Sequence, residues 1–182
     1  MLLVNLYGDA GSGKTTGAAY VFSKLKLAGV KCELVQDVAK EKILEDNIKA
    51  MKNQAYIFGE QYFRLSRLED EVDVVVTDFP LMLETLYSDD KRLGTAFKRV
   101  VLNVTKSYSS IDFFVKPAVY HRGKKGKIEE DEPSEFSKKT IAMLNKHFPD
   151  YVTIDGNKNG YDQVVKAVFA TIGLKTNKRR SR

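Results

Sequence analysis

The sequence predicts an α/β fold, a five-stranded parallel sheet with helices on both faces. Three observations predict it. Short apolar runs alternate with amphipathic stretches along the chain. One run, Val72–Thr77, is an unbroken valine-rich segment of the kind buried on both faces of a parallel sheet. A glycine-rich segment, Gly8–Thr15, stands between the first apolar run and the first amphipathic stretch.

The elements follow in order. Leu2–Tyr7 is a short apolar strand. Thr16–Ala28 reads as a helix with Ala19, Phe22 and Leu25 on one face, stopped by Gly29. Lys31–Gln36 is the second strand and Val38–Leu44 a short helix. Ile48–Leu68 reads as one long helix whose apolar face carries Met51, Ala55, Phe58, Tyr62 and Leu65. Val72–Thr77 is the third strand, Leu93–Thr105 a helix and Ile111–Val115 the fourth strand. Pro117–Pro133 is polar, first basic and then acidic, and too long for a simple connection. Ser134 is placed to cap a helix running to His147. Tyr151–Ile154 is the last strand and Tyr161–Ile172 the last helix. The expected organisation is one domain over 1–174 and a basic, disordered tail over 175–182.

Composition narrows the class. A chain of 182 residues with 43% hydrophobic and 30% charged residues suits one globular domain. Its one cysteine, Cys32, allows no disulfide within the chain, and no Cys/His spacing suggests zinc. Met1–Leu6 is too brief for a secretion signal, and no apolar run approaches the ~20 residues of a membrane span. A cytoplasmic location without membrane association is expected. The net charge is +6, gathered in Arg122–Lys127 and Lys175–Arg182. Two readings are open for these clusters: solvated surface, or contact with an anionic partner such as a nucleotide or polynucleotide.

Gly8, Asp9, Ala10, Gly11, Ser12, Gly13, Lys14 and Thr15 match G-x-x-x-x-G-K-[ST] in full, with a strand before and a helix after. The glycines let the backbone turn its N–H groups inward onto phosphate oxygens, and the helix beginning around Thr16 adds its positive end. Lys14 is placed to bridge the β- and γ-phosphates of ATP, and the Thr15 hydroxyl to ligate Mg²⁺. Asp78, at the tip of the valine strand, is a second candidate Mg²⁺ ligand, or the cap of a helix starting at Pro80.

Candidates for the acceptor side are less specific. Asp37 follows the second strand and can take the proton of an attacking hydroxyl or cap the next helix. Gln54 and Arg64 lie ten residues apart on the expected long helix, close to one face. The basic half of Pro117–Pro133, with Arg122 and Lys127, is either a lid that brings cations to the transferring group or an exposed loop. Gly156–Gly160, after the last strand, is a candidate neighbour of the nucleotide base.

Gly8–Thr15, Glu33–Lys40, Gln54–Gln61 with Arg64, Val72–Leu81 and Phe113–Pro117, with a Tyr120 to Lys127 lid, resemble small phage-type P-loop kinases, also labelled AAA-like ATPases. The resemblance runs from about Leu3 to Ile172. It implies a three-layer P-loop NTPase fold and kinship with nucleoside and nucleotide kinases and with kinases of 5-hydroxymethylpyrimidines in phage DNA. It implies phosphate and metal roles for Lys14, Thr15 and Asp78, an acceptor-binding or deprotonating role for Asp37, and acceptor contacts for Gln54 and Arg64. It also implies the cytoplasm of a host cell. Lys127 departs from the arginine expected there, and a lysine is a point charge where arginine is a fork.

The leading expectation is an ATP- and Mg²⁺-dependent kinase acting on a hydroxyl of a nucleoside-type acceptor, carried in DNA if the basic clusters bind phosphates. The alternatives are a kinase of free deoxynucleoside monophosphates or nucleosides, a nucleotide-hydrolysing switch with no acceptor, and a nucleic-acid-binding module with a vestigial P-loop. The sequence leaves the oligomeric state open.

Overall fold

The computed structural model describes residues 1–87, 91–118 and 133–173. Its strands are β1 (Leu2–Tyr7), β2 (Cys32–Val35), β3 (Val74–Thr77), β4 (Ser109–Lys116) and β5 (Val152–Asp155). They lie in the order β2-β3-β1-β4-β5, and each neighbouring pair is parallel. The helices are α1 (Lys14–Leu27), α2 (Val38–Leu44), α3 (Ile48–Met51), α4 (Gln54–Ser66), α5 (Glu84–Tyr87), α6 (Gly94–Lys106), α7 (Glu135–His147) and α8 (Lys158–Thr171). A 3₁₀ turn, Leu81–Leu83, leads into α5.

Parallel strands need long crossovers, which put helices on both faces of the sheet and bury its strands twice over. The central strand β1 shows this by alternation. Leu2, Val4 and Leu6 pack with Ala18, Val21 and Leu25 of α1 and with Val164 and Val168 of α8. Leu3 and Tyr7 pack on the other side with Phe58 and Leu65 of α4, Leu81–Leu83, Val101 of α6 and Leu144 of α7. The result is three layers. Val4, Leu6 and Val76 are wholly buried, and such a side chain contributes about 1.5–3 kcal/mol. A net hydrogen bond contributes about 1 kcal/mol, so the two apolar layers hold the sheet.

One polar pair interrupts β1. Asn5 donates to Asp112 Oδ1 at 2.8 Å, and Ser110 donates to Asp112 Oδ2 at 2.8 Å. Asn5 and Asp112 face each other in the β1–β4 register. A one-residue slip would separate them, so the pair reinforces the register set by burial.

Two expectations are corrected. The stretch from Ile48 to Leu68 is two helices, because Asn53 caps a fresh start and accepts from the Tyr56 backbone N–H at 3.1 Å. Asn47 does the same for α3, accepting from Ala50 N at 3.1 Å. Asparagine at such points satisfies N–H groups that a new helix leaves open. The buried faces also differ from those expected. In α1 it is Gly17, Ala18, Val21 and Leu25, with Ala19 outward, because Tyr161 of α8 sits against Gly17. In α4 it is Ile57, Phe58, Gln61 and Leu65, with Ala55 and Tyr62 outward.

Gln61 explains the second shift. It is fully buried, accepts from the Val38 backbone N–H at 3.2 Å and donates to the Phe79 carbonyl at 3.3 Å. One side chain therefore ties the turn after β2 to the turn after β3. Gln61→Leu keeps the volume but orphans both backbone groups. It should lower the unfolding free energy by about 2–4 kcal/mol in urea denaturation, at about 1–3 kcal/mol for each unsatisfied group.

Candidate functional site

The parallel sheet brings the C-terminal ends of β1, β2 and β3 to one rim, where ligands of open α/β sheets bind. Gly8–Gly13 leaves β1 there and turns directly into α1. Gly13 takes a left-handed conformation, φ 97°, at the start of α1, and a Cβ there would lie 2.5 Å from the Tyr161 hydroxyl. That hydroxyl donates to the Gly13 carbonyl at 2.9 Å. The first turn of α1 holds no acidic residue, so its positive end is free to meet an anion. Lys14 Nζ donates to the Asp9 carbonyl at 2.6 Å and closes the loop.

The loop is also fixed from outside. Gly156, directly after β5, donates its N–H to the Lys116 carbonyl at 2.7 Å, and its Cα packs on the loop backbone at Ser12. Asp9 Oδ2 accepts from the hydroxyls of Ser134 at 2.6 Å and Ser137 at 2.9 Å. Ser134 also caps α7, as expected, accepting from Ser137 N. The start of α7 is thus anchored to the loop.

Thr15 and Asp78 meet as expected. The Thr15 hydroxyl donates to Asp78 Oδ2 at 2.5 Å, while Asp78 Oδ1 is buried without a hydrogen-bond partner. Pro80, not Asp78, occupies the cap position of the following turn, which has no side-chain cap. A buried carboxylate oxygen beside a threonine hydroxyl fits a hard cation such as Mg²⁺. Among the described residues no group of three or more His, Cys, Asp or Glu is arranged to hold a metal.

The charges at the rim act on one another. Burial pulls the Lys14 ammonium below its usual pKa, opposed by the charges of Asp78, Asp37 and Asp9. Asp37, after β2, is held above the usual carboxylate range by burial, opposed by the N–H groups of Lys40 and Ala39, with Asp78 pushing the same way as burial. Asp37 also caps α2, accepting from Lys40 N at 3.1 Å. The cap role is therefore real and compatible with a second one.

Other expected residues are placed differently. Arg64 spends its guanidinium on Glu41, at 2.6 and 2.7 Å, and on Glu60 at 3.1 Å, which holds α4 to α2. Gln54, in the first turn of α4, donates to the Met51 carbonyl at 3.4 Å. Both residues nevertheless stand on the one helix α4, which begins at Gln54, after the break. Ala10, Gly11 and Thr16 lie in the loop and first turn as expected. Arg122 and Lys127, most of the segment 117–133 and the tail 175–182 lie outside the described residues.

Two features escaped the sequence reading. Glu84 is fully buried, and both of its carboxylate oxygens lack a partner. Burial and the charge of Asp37 raise its pKa to about 8. Phe79 and Tyr87, which flank it in the chain, form a line of rings with Phe136 of α7, with centroids 5.8 Å and 5.0 Å apart. The signal was present: Glu84 is the one acid in the apolar run Phe79–Tyr87. A groove of about 440 Å³ between α5, α6 and α7 contains none of the rim residues.

No family model and no curated protein matches the chain. Solved structures do. Shikimate kinase of Aquifex aeolicus is similar at a TM-score of 0.50 and 17% identity, over 94% of this chain and 96% of that one. Deoxyadenosine kinase of M. mycoides, with dCMP and dCDP bound, is similar at 0.50 and 15%, over 94% and 98%. These likenesses show the fold, an α/β P-loop NTPase fold with helices on both faces of a five-stranded parallel sheet. No described helix is long and apolar enough to cross a membrane.

Two outcomes follow from this geometry. A Cβ at Gly156 would lie 2.0 Å from the Ser12 carbonyl oxygen, so Gly156→Ala must displace the loop. Its MgATP affinity, measured by calorimetry, should fall at least about tenfold, equivalent to 1.4 kcal/mol, with an unchanged circular dichroism spectrum. Glu84 binds its proton more tightly folded than unfolded, where its pKa is the ordinary 4.5. Its contribution to stability is full below about 4.5 and is lost as pH rises through about 8. Urea midpoints across that range should show this slope in the native chain and lose it in Glu84→Gln.

Proposed function

We propose that this chain is an ATP- and Mg²⁺-dependent kinase that transfers the γ-phosphoryl group to a hydroxyl of a nucleoside-type acceptor. The observation that carries the proposal is the convergence of Lys14, Thr15, Asp78 and Asp37 on one rim. The Thr15–Asp78 bond is 2.5 Å, and the charges of Asp78 and Asp37 both act on Lys14. Phosphoryl transfer needs positioning and charge neutralisation more than covalent chemistry, and these residues supply both.

The backbone N–H groups of Gly11–Thr15 and the start of α1 hold the β- and γ-phosphates. Lys14 exchanges its bond to the Asp9 carbonyl for one to the phosphates and meets the charge that develops on the departing oxygen. Thr15 and Asp78 would hold Mg²⁺, which neutralises phosphate charge when bound. Asp37 takes the proton of the acceptor hydroxyl as its oxygen attacks the γ-phosphorus and the bond to the β-phosphate oxygen breaks, releasing ADP. Its raised pKa makes it a better proton acceptor than an exposed carboxylate. The rate should rise with pH through that raised pKa.

Our finer reading is an acceptor carried in DNA, a 5-hydroxymethylpyrimidine of phage DNA. It rests on the resemblance and on the basic clusters Arg122–Lys127 and Lys175–Arg182, which lie outside the described residues. Arg122 and Lys127 then serve as lid cations, and Arg64 and Gln54 support the acceptor side through α4. The competing reading is a small nucleoside or nucleotide acceptor; a deoxynucleoside kinase shares the fold.

Transfer from labelled ATP to free nucleosides, nucleotides, plain DNA and hydroxymethylated DNA tests all of this. Labelling of hydroxymethylated DNA alone supports the finer reading, and labelling of a free nucleoside or nucleotide alone replaces it. ATP hydrolysis with no acceptor labelled overturns the kinase assignment. Lys14→Ala should lower transfer by about 10²-fold or more, and a wild-type rate in that variant would contradict the phosphate role. Asp37→Asn should lower kcat by about 10²–10⁴-fold and leave ATP affinity nearly unchanged. A loss of stability with kcat preserved would reduce Asp37 to a helix cap.

A further inference from the structure

Glu84 has no structural explanation among the described residues. A buried carboxyl group is expensive even when neutral unless it is hydrogen-bonded. Here neither oxygen has a partner, and the side chain is 0% exposed. Its place is specific. It opens α5, directly after Leu81–Leu83, and lies close enough to Asp37 for that charge to act on it. Asp37 is in turn within electrostatic reach of Lys14 and Asp78. Glu84 therefore neighbours the residue proposed to take the proton of the acceptor hydroxyl.

The surroundings are aromatic. Phe79 and Tyr87 are stacked at 22°, and Tyr87 leans on Phe136 at 33°. Tyr87 is 45% exposed, so this wall has an open side. The charged and titratable groups facing Glu84 are Asp37, at the end of β2, and Tyr87, one turn along α5, whose hydroxyl pKa is pushed up to about 12 by burial and by Asp37 and Glu84. With Asp37 ionised and Tyr87 neutral, Glu84 keeps its proton near neutral pH.

We propose that Glu84 is the specificity-determining residue of the acceptor site, its carboxyl group exchanging two hydrogen bonds with a ring edge that carries a donor beside an acceptor. A neutral carboxylic acid offers one O–H donor and one carbonyl acceptor side by side. That pattern complements a nucleobase edge with a donor beside an acceptor, and the exposed part of Tyr87 offers the ring an aromatic contact. The ligand then satisfies both oxygens that the chain leaves open. A site built this way rejects rings that lack the edge, because its buried polar groups would stay unpaired. Admission requires rotation of the half-exposed Tyr87 ring. This assignment rests on the kinase reading above and deepens it.

The experiment measures KM for the acceptor and KM for ATP in the native chain, Glu84→Gln and Glu84→Met. The acceptor is whichever of deoxythymidine, deoxycytidine, 5-hydroxymethyldeoxycytidine or hydroxymethylated DNA the native chain labels. Glutamine keeps the donor–acceptor pair and cannot ionise; methionine removes the pair and keeps the bulk. The expected result is an acceptor KM raised at least about tenfold in Glu84→Met and restored to within about threefold in Glu84→Gln, with the ATP KM unchanged in both. The native acceptor KM should climb as pH passes about 8, where Glu84 loses its donor, and the Glu84→Gln profile should stay flat. If the native chain labels an acceptor and Glu84→Met leaves its KM within twofold, the assignment fails and the kinase reading stands. Loss of melting temperature in both variants without a selective change in acceptor KM makes Glu84 structural and also overturns it. If the native chain labels none of the four probes, the nucleobase assignment fails for lack of its substrate. Continued ATP hydrolysis in that case locates the failure in the kinase reading itself.

Discussion

The site depends on the double burial of β1 between parallel neighbours. A strand covered on both faces must be apolar on both, and one flanked by β3 and β4 in parallel register must end beside them. That places the turn after β1, the tip of β3 and the turn after β2 on one rim. The loop Gly8–Gly13 can then meet Asp78 and Asp37, which stand far from it in sequence. The Asn5–Asp112 pair adds a polar lock to the same register, at the strand on which the loop is mounted.

Burial also sets the chemistry of the rim. Lys14, Asp37 and Glu84 are withdrawn from water to some degree, which weakens the charged form of each, and Asp78 is buried beside them. The chain compensates unevenly. Lys14 has the Asp9 carbonyl, Asp37 has backbone N–H groups, and one oxygen of Asp78 has Thr15. The other oxygen of Asp78 and both oxygens of Glu84 have no partner among the described residues. Under the proposed function, Mg²⁺ would satisfy the first and a planar acceptor the second. Binding at the two halves of the site is thus expected to relieve two separate desolvation costs, joined at Asp37.

Anchors from three other parts of the chain hold the loop in place. Tyr161 of α8 reaches Gly13, Gly156 presses on Ser12, and Ser134 and Ser137 of α7 hold Asp9. The segment between β4 and α7 begins at Lys116, bonded to Gly156, and ends at Ser134, bonded to Asp9. Both of its ends are therefore fastened beside the phosphate loop.

The sequence by itself determined the fold class, because alternation of apolar strands with amphipathic helices is a local pattern that survives any error in element ends. It also located the contiguous glycine-rich loop Gly8–Thr15 and, through the valine run of β3, the strand-tip acid Asp78 that the Thr15 hydroxyl meets. Tertiary structure decided what depends on distant packing. The split at Asn53 turned on side-chain caps that compete with helix continuation. The inward face of α1 turned on the Tyr161 ring against Gly17, and that of α4 on a buried glutamine bridging two turns. Arg64 was an acceptor-side candidate in sequence, yet Glu41 and Glu60 occupy its guanidinium once α2 and α4 pack. Glu84 was visible as an acid in an apolar run, but only the closed fold shows that nothing in the described chain answers its two oxygens. Contacts between residues far apart in the chain carry no periodic signal, so a single sequence cannot display them.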